Sequence, residues 1–244
     1  MRLHVILMIL VCTSLVAVVS AQTLKVVDTG GYRAEEFPSS SWYGSTGLIF
    51  VPSASVVPAG KLAGGAHIAQ LDSGNQTAFT ANISLMSDLE FGVSRINHVQ
   101  PRGFGSTDFV DKTLFNAKYA LELGSWFKIR ELPQVAVGVF DASDELNRTF
   151  YIVASKKFQI KEGGMFSSFT LHGGFGSTKH DTGALNGVFA GLEFPLFSGA
   201  QVQVEWDHAE YNAAFRYFPF QWLSLDAGVI DGNFAYGLSA RSLF

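Results

Sequence analysis

Apolar and polar residues alternate along most of this chain from about residue 61 onward. The clearest stretch sets Ala200, Val202, Val204 and Trp206 against Gln201, Gln203, Glu205 and Asp207. Strict alternation over several residues is typical of a strand with one apolar and one polar face. The pattern predicts about twelve strands, near residues 62–71, 76–86, 88–97, 111–123, 133–141, 148–158, 166–177, 185–194, 199–208, 209–218, 222–231 and 233–244. We therefore expect an all-β protein.

The length and number of these strands favour one architecture. Strands of outer-membrane barrels need about ten residues that alternate between a lipid-facing apolar and a lumen-facing polar side. Four aromatic residues, Tyr211, Tyr217, Trp222 and Tyr236, fall near predicted strand ends, where interfacial girdles lie. Periodicity alone does not separate such a barrel from a soluble sandwich, whose apolar face meets a second sheet. The fold class that we predict is a transmembrane antiparallel up-and-down β-barrel.

Both ends of the chain favour the membrane alternative. Arg2, an apolar run over residues 5–19 and the small residues Ser20 and Ala21 together have the layout of an export signal. The last predicted strand closes on Phe244, and outer-membrane barrels present such an aromatic end to their assembly machinery. We expect a removed signal peptide over residues 1–21, location in the cell outer membrane and a barrel assembly signal at Phe244.

Residues 22–60 have a different texture from the strands. They carry a Gly-Gly pair, three consecutive serines and prolines at Pro38, Pro52 and Pro58, with only short apolar pieces. This composition predicts an irregular N-terminal arm, either inside the barrel lumen or along its periplasmic rim. The predicted domains are a signal peptide at 1–21, this arm at 22–60 and the barrel at 61–244.

The composition excludes several other classes of protein. The only cysteine is Cys12, inside the expected signal peptide, so disulfides and thiolate metal sites are excluded from the mature chain. The net charge of −4 gives no indication of nucleic-acid binding. The histidines are scattered through the sequence, so we expect neither a metal site nor a cofactor.

Charged and polar residues on the predicted lumen face form the candidate site. Both signs occur, and buried groups of opposite charge are tolerated when they are paired. We expect them to brace the lumen in a polar network, with a path for substrate as the alternative. The residues of this predicted network are Glu90, Asn116, Lys118, Glu122, Lys157, His172, Glu193, Glu205, Asp207, Arg216, Asp226 and Arg241.

A catalytic site is the minor alternative, and we assign no catalytic residues. A barrel hydrolase of lipid or glycan needs a hydroxyl, a base and an orienting group in contact. Asp207 and His208 are neighbours on one strand and should face opposite sides. His172, close to Thr170, is the leading candidate for a base.

Three pairs of short stretches carry a resemblance to a known family. They read GSTGLIFVPSA at 44–54 with PAGK at 58–61, AVGVFD at 136–141 with FYIVASKK at 150–157, and GLEFPLF at 191–197 with VEWD at 204–207. In these stretches the chain resembles the YjbH-like outer-membrane barrels associated with exopolysaccharide production.

The resemblance implies a non-enzymatic role in surface-glycan export or envelope scaffolding, without catalytic residues. The partners expected are outer-membrane lipid, the barrel assembly machinery and polysaccharide or export-system proteins. The alternatives left open are a barrel-type lipid or glycan hydrolase and an exported soluble carbohydrate-binding β-protein.

Overall fold

The computed structural model describes residues 39–71, 74–99, 110–121, 123, 132–159, 168–178, 185–197 and 199–242. The expected signal peptide at 1–21, the first part of the arm at 22–38, Glu122 and Phe244 lie outside the described residues.

The described chain forms twelve antiparallel strands in one closed barrel. The strands are β1 (Leu62–Leu71), β2 (Gly74–Met86), β3 (Leu89–Val99), β4 (Val110–Leu121), β5 (Gln134–Phe140), β6 (Thr149–Gln159), β7 (Ser168–Thr178), β8 (Gly187–Phe197), β9 (Ala200–Trp206), β10 (Tyr211–Phe220), β11 (Leu223–Ile230) and β12 (Asn233–Arg241). All twelve coincide with predicted strands to within a few residues at each end. The predicted all-β barrel is therefore confirmed.

Each strand pairs with its neighbours in sequence, and β1 pairs with β12 to close the sheet. In the closing pair, Ala63 lies opposite Arg241 and Ala69 lies opposite Ala235. A closed sheet has no free edge, so every strand is hydrogen-bonded on both sides. The two-sheet sandwich considered from the sequence is wrong for this chain.

The two ends of the barrel can be told apart by the strand ends and connections that they carry. We call the end where β1 begins and β12 ends the terminal mouth, and the other end the opposite mouth. The two-residue turns at Ser87–Asp88 and Gln221–Trp222 lie at the terminal mouth. The Asp231–Gly232 turn and the longer 141–148 loop lie at the opposite mouth.

Large apolar side chains cover the outer face of the barrel. Phe79, Phe115 and Leu171 are among those exposed at mid-strand. On the outward positions of the described strands, the charged residues are Arg95, Asp111 and Lys156, which lie towards strand ends. Arg95 and Asp111 pair with each other at 3.2 Å. The middle of the outer face is therefore an uncharged apolar band. No helix in the described ranges is long and apolar enough to span a bilayer.

Aromatic residues gather at the margins of this band. Near the terminal mouth, the rings of Phe158 and Phe169 stack at 5.0 Å, and Phe194 lies 6.0 Å from Phe169. Near the opposite mouth, Trp206 stacks with Tyr211 at 6.4 Å.

The aromatic residues singled out in the sequence lie near strand ends. Tyr211 opens β10 and Trp222 lies in the β10–β11 turn, whereas Tyr217 and Tyr236 lie three residues from the nearer end of their strands.

Candidate functional site: the plugged lumen

A segment of the N-terminal arm, residues 39–57, lies within the barrel, and we call it the plug. It folds back on itself: Trp42 N donates to Ile49 O at 2.9 Å, and Leu48 N donates to Val51 O at 2.9 Å. Ser53 N donates to Thr46 O at 3.2 Å. Trp42, Leu48, Ile49 and Val51 are all almost completely buried. The sequence predicts that the arm lies either in the lumen or along the periplasmic rim. The structure places residues 39–57 in the lumen.

The tip of the plug packs into apolar side chains in the half of the lumen nearer the opposite mouth. Val51 and Ala54 join a cluster with Val153, Leu185 and Phe189. A second cluster unites Trp42 and Ile49 with Ala69, Ala214, Ile230 and Ala235. These clusters close that half of the lumen.

Gly191 of β8 makes room for the tip. A Cβ atom at this position would lie 2.6 Å from Cδ2 of Leu48, closer than real Cβ atoms approach a neighbour. The glycine in one of the stretches that carry the resemblance is therefore a contact point for the plug.

Glu205 of β9 holds the tip by its main chain. Its carboxylate accepts hydrogen bonds from the N–H groups of Ile49 at 3.0 Å, Phe50 at 2.8 Å and Val51 at 3.0 Å. The Asn212 amide adds a fourth donor at 3.2 Å. Because buried N–H groups must find acceptors, this one side chain satisfies the main chain of a whole turn of the plug.

Glu90 and Lys118 hold the base of the plug from β3 and β4. They are register partners, and Nζ of Lys118 lies 3.7 Å from Oε1 of Glu90. The Glu90 carboxylate accepts from Thr46 N at 2.9 Å and from Val57 N at 2.8 Å. Lys118 donates to Thr46 O at 2.8 Å and to Ser53 O at 3.2 Å. The ion pair thus contacts both limbs of the plug.

A third contact runs across β6, β7 and β8. Ser155 Oγ accepts a hydrogen bond from Ala54 N of the plug at 2.8 Å, and it also lies 2.8 Å from Nδ1 of His172. Nε2 of His172 is 3.4 Å from Oε2 of Glu193. Gln203 Nε2 donates to the other oxygen of Glu193 at 2.8 Å. A hydroxyl, an imidazole and a carboxylate therefore stand in line, the order that nucleophilic hydrolases use.

The wall on the other side of the lumen carries a second ionic group. Arg216 and Asp226 are register partners on β10 and β11, and Arg216 Nε donates to Asp226 Oδ1. Nε2 of His67 lies 3.8 Å from Asp226, and its ring stacks on Trp42 at 4.6 Å.

These side chains and Gln201 form a polar belt on the inner wall, mostly in the half of the lumen nearer the terminal mouth. The belt consists of His67, Glu90, Lys118, Ser155, His172, Glu193, Gln201, Gln203, Arg216 and Asp226.

The structure brings most of the predicted lumen residues towards the plug. Those that contact it or complete the belt are Glu90, Lys118, His172, Glu193, Glu205, Arg216 and Asp226. Asn116 is buried and accepts from Asp141 N at 2.9 Å. Asp207 lies beyond β9, where it accepts from the main chain of the turn at Ala209 and Glu210.

Two predicted residues lie at the terminal rim instead of deep in the lumen. Lys157 is exposed near the end of β6. Arg241, at the end of β12, lies with its guanidinium 5.5 Å from the centre of the Phe218 ring.

Sequence reasoning missed Ser155, Gln201, Gln203 and His67 as parts of the belt. Each occupies an inward position of a predicted strand, so the alternation does predict that its side chain faces the lumen. Their neutral side chains, however, gave no sign of a plug contact. In the part of the chain that the structure describes, no group of three or more His, Cys, Asp or Glu residues is placed to hold a metal ion.

The three pairs of stretches that carry the resemblance meet at the plug. The first contains most of the plug, the second contributes Ser155, and the third contributes Gly191, Glu193 and Glu205. A family model described as exopolysaccharide biosynthesis protein YbjH matches residues 39–239, from the start of the plug almost to the end of β12. This chain belongs to the YjbH family. The predicted resemblance is thereby confirmed, and no curated protein matches the chain significantly.

This YjbH-family chain is also similar to solved outer-membrane barrels. The low-pH structure of Pseudomonas putida OprB shares 14% identity, with 75% of this chain and 91% of that chain covered and a TM-score of 0.33. The N-terminal β-barrel domain of Pseudomonas aeruginosa OprF shares 9% identity, with 75% and 98% covered and a TM-score of 0.25.

Proposed function

We propose that this chain is a non-enzymatic outer-membrane barrel that serves exopolysaccharide export as a plugged scaffold rather than as an open conduit. The observation that carries the proposal is the plug, which residues 39–57 form inside the barrel. Glu205, the Glu90–Lys118 pair and Ser155 hold it from three parts of the wall. The tip closes the half of the lumen nearer the opposite mouth by apolar packing.

The outer face supports the membrane part of the proposal. Exposed side chains such as Phe79, Phe115 and Phe175 have no protein layer over them in the described structure. In water this band would be an aggregation hazard, whereas in a bilayer it faces hydrocarbon. In this proposal residues 1–21 direct export, Phe244 presents the chain to the barrel assembly machinery, and other export-system proteins are its partners.

Membrane fractionation with gel migration of heated and unheated samples tests the location. We expect the protein in the outer-membrane fraction, with a folded form that migrates differently until it is boiled. Recovery in the soluble periplasmic fraction would contradict the proposal and favour the soluble carbohydrate-binding alternative.

Conductance across a planar bilayer tests the closed state. The purified full-length chain should insert without a steady open current, because the tip fills the lumen. A stable current of the size expected for an empty twelve-stranded barrel would contradict the scaffold role and favour a conduit.

A hydrolase is the second candidate, and the Ser155–His172–Glu193 line favours it. The plug weighs against it, because Ala54 N donates to the oxygen that would attack and Ser155 is only 6% exposed. A fluorophosphonate probe on the purified chain, with Ser155→Ala and His172→Ala as controls, separates the two. We expect no labelling of the native chain. Labelling that both substitutions abolish would establish the enzyme instead.

A further inference from the structure

The return limb of the plug, residues 53–57, binds the wall largely through its main chain. Ala54 N donates to Ser155, Val57 N donates to Glu90, and Ser53 O accepts from Lys118. Two side chains add to these: Ser55 Oγ donates to Gln134 Oε1 at 3.3 Å, and Ala54 packs in the cluster with Val153. Most of the hydrogen bonds between the wall and the limb are therefore made to main-chain groups and not to particular side chains.

The belt also holds hydrogen-bonding capacity that the plug does not use. Gln203 is fully buried on β9, and its Oε1 atom has no partner among the described residues. A buried acceptor without a donor destabilises the fold, so its retention needs a reason. Glu193, which Gln203 contacts, keeps 24% of its side chain exposed. One unused acceptor thus lies in the belt, joined to the Ser155 contact with the return limb through Glu193 and His172.

We propose that the return limb occupies a groove that binds a linear, uncharged, hydroxyl-rich chain, a neutral glycan, and that such a glycan displaces the limb on entering from the terminal mouth. The inference rests on the proposed function and names its ligand class. Each sugar hydroxyl is both a donor and an acceptor. Hydroxyls can therefore donate to Glu90, Ser155 and Gln203 and accept from Lys118 without bringing a charge into the lumen.

The charges of the belt favour a neutral chain over an acidic one. Lys118 is already bound by Glu90 and the plug, and Arg216 is paired with Asp226 through Nε, although its Nη2 has no hydrogen-bond partner among the described residues. Glu193 and Glu205 have no lysine or arginine partner within the described structure. A uronate-bearing chain in place of the limb would meet the Glu193 carboxylate with like charge, and burial strengthens such repulsion.

The tip of the plug stays in place in this scheme. Leu48, Ile49 and Val51 are buried in the apolar clusters, and Glu205 holds their main chain from a different part of the wall. Moving the return limb takes Ala54 out of its cluster but leaves the contacts of Leu48, Ile49 and Val51 in place, so the lumen would bind glycan from one mouth while the other stays closed. Binding would accordingly occur without passage.

Accessibility of Ala54 tests this proposal, because Ala54 lies in the limb and is only 1% exposed. The full chain carries Ala54→Cys and Cys12→Ala, so that one thiol remains. It is inserted into lipid vesicles and treated with a water-soluble maleimide. We expect maltoheptaose to accelerate labelling about tenfold by favouring the displaced limb. Oligogalacturonate should not, and a neutral Gly-Ser peptide, which offers the same main-chain groups as the limb, should accelerate labelling less than maltoheptaose does. Equal rates with and without maltoheptaose, or acceleration by either of the other probes alone, would overturn the proposal.

Two further variants link labelling to the limb. Thr46→Val removes a hydrogen bond to Glu90 from the plug side and should raise the basal labelling rate. Thr80→Val is the matched control, because the Thr80 hydroxyl is buried without a partner in the described part of the chain. No difference between the two would contradict a role of the Thr46–Glu90 contact in holding the limb.

A disulfide between the limb and the wall gives an independent measurement. Ala54→Cys with Ser155→Cys, in the Cys12→Ala background, should form one because the two residues are in contact. Calorimetric binding of maltoheptaose should vanish when the bond is oxidised and return on reduction. Unchanged binding by the oxidised form would overturn the proposal.

The heat-modifiable gel migration of the unsubstituted chain and of every variant is checked first. Its loss in the unsubstituted chain counts against the membrane barrel of the proposed function. Failed glycan binding by a barrel that is inserted in the membrane counts against this inference alone.

Discussion

Lys118 Nζ lies 3.7 Å from Glu90 Oε1, and both side chains are shut off from solvent. The pair joins neighbouring strands and binds the plug at Thr46. Removing one member leaves the other charge buried without a partner, which typically costs about 3–5 kcal/mol. We expect Lys118→Met to lower the free energy of unfolding by that amount, measured by urea titration of the barrel in lipid vesicles. Glu90→Gln combined with Lys118→Met should recover part of the loss.

The exposed pair of Arg95 and Asp111 is the matched control for that measurement. Its atoms are closer, at 3.2 Å, but about half of each side chain is exposed. Because solvent screens such pairs, Arg95→Gln should cost less than about 1 kcal/mol. If Lys118→Met cost no more than Arg95→Gln, the buried pair would not hold the plug.

Glu205→Gln should loosen the tip of the plug without opening the barrel. A neutral amide has one acceptor oxygen in place of two, so the three N–H groups at Ile49, Phe50 and Val51 lose part of their bonding. We expect hydrogen exchange at these amides to accelerate about tenfold or more, in line with a loss of about 1–3 kcal/mol. Mass spectrometry measures the exchange. Glu210→Gln, in the β9–β10 turn, is the control and should leave the tip protected.

Much of the barrel could be predicted because its strands have two unlike faces. The predicted 62–71 strand is β1, and the alternation around Phe115 marks β4. The predicted strand 199–208 is longer than β9, because the alternation continues at Asp207 and His208 although the strand ends at Trp206. Positive φ of 89° at His208 marks the turn there, and alternation carries no signal of it.

The sequence predicts the charged wall residues of the site but not the plug that they bind. Inward alternation identified Glu90, Lys118 and Glu205 as lumen residues, because charge on the non-lipid face is visible in the sequence. Their common partner, the plug, was not visible, because it binds through main-chain N–H groups that every residue type carries. Ser155 was not predicted for the same reason. A serine on an inward position gives no indication that its hydroxyl accepts a hydrogen bond from the main chain of Ala54.

Two neighbouring glycines of β7 should respond oppositely to alanine. A Cβ atom at Gly174 would lie 2.3 Å from both Ile152 O and Phe189 Cζ, whereas a Cβ at Gly173 would meet nothing within 4 Å. Overpacking costs about 1–3 kcal/mol, while alanine in open space reduces the flexibility of the unfolded chain. Gly174→Ala should therefore lower the free energy of unfolding, and Gly173→Ala should leave it unchanged or raise it. The reverse order in urea titrations would mean that Gly174 does not face the lumen.

A positive charge in the middle of the outer face should be costly only if that face meets lipid. Phe115 lies at the middle of β4 and is 55% exposed, and Gln70 lies near the end of β1 on the same face. Arginine at the bilayer midplane costs about 2–4 kcal/mol and near the interface about 0–1 kcal/mol. Phe115→Arg should thus lower the free energy of unfolding in lipid vesicles far more than Gln70→Arg. In water, a long arginine on an exposed surface would cost little at either position. Equal effects of the two substitutions would therefore contradict the membrane barrel. They would mean that the outer face contacts water or another protein instead of lipid.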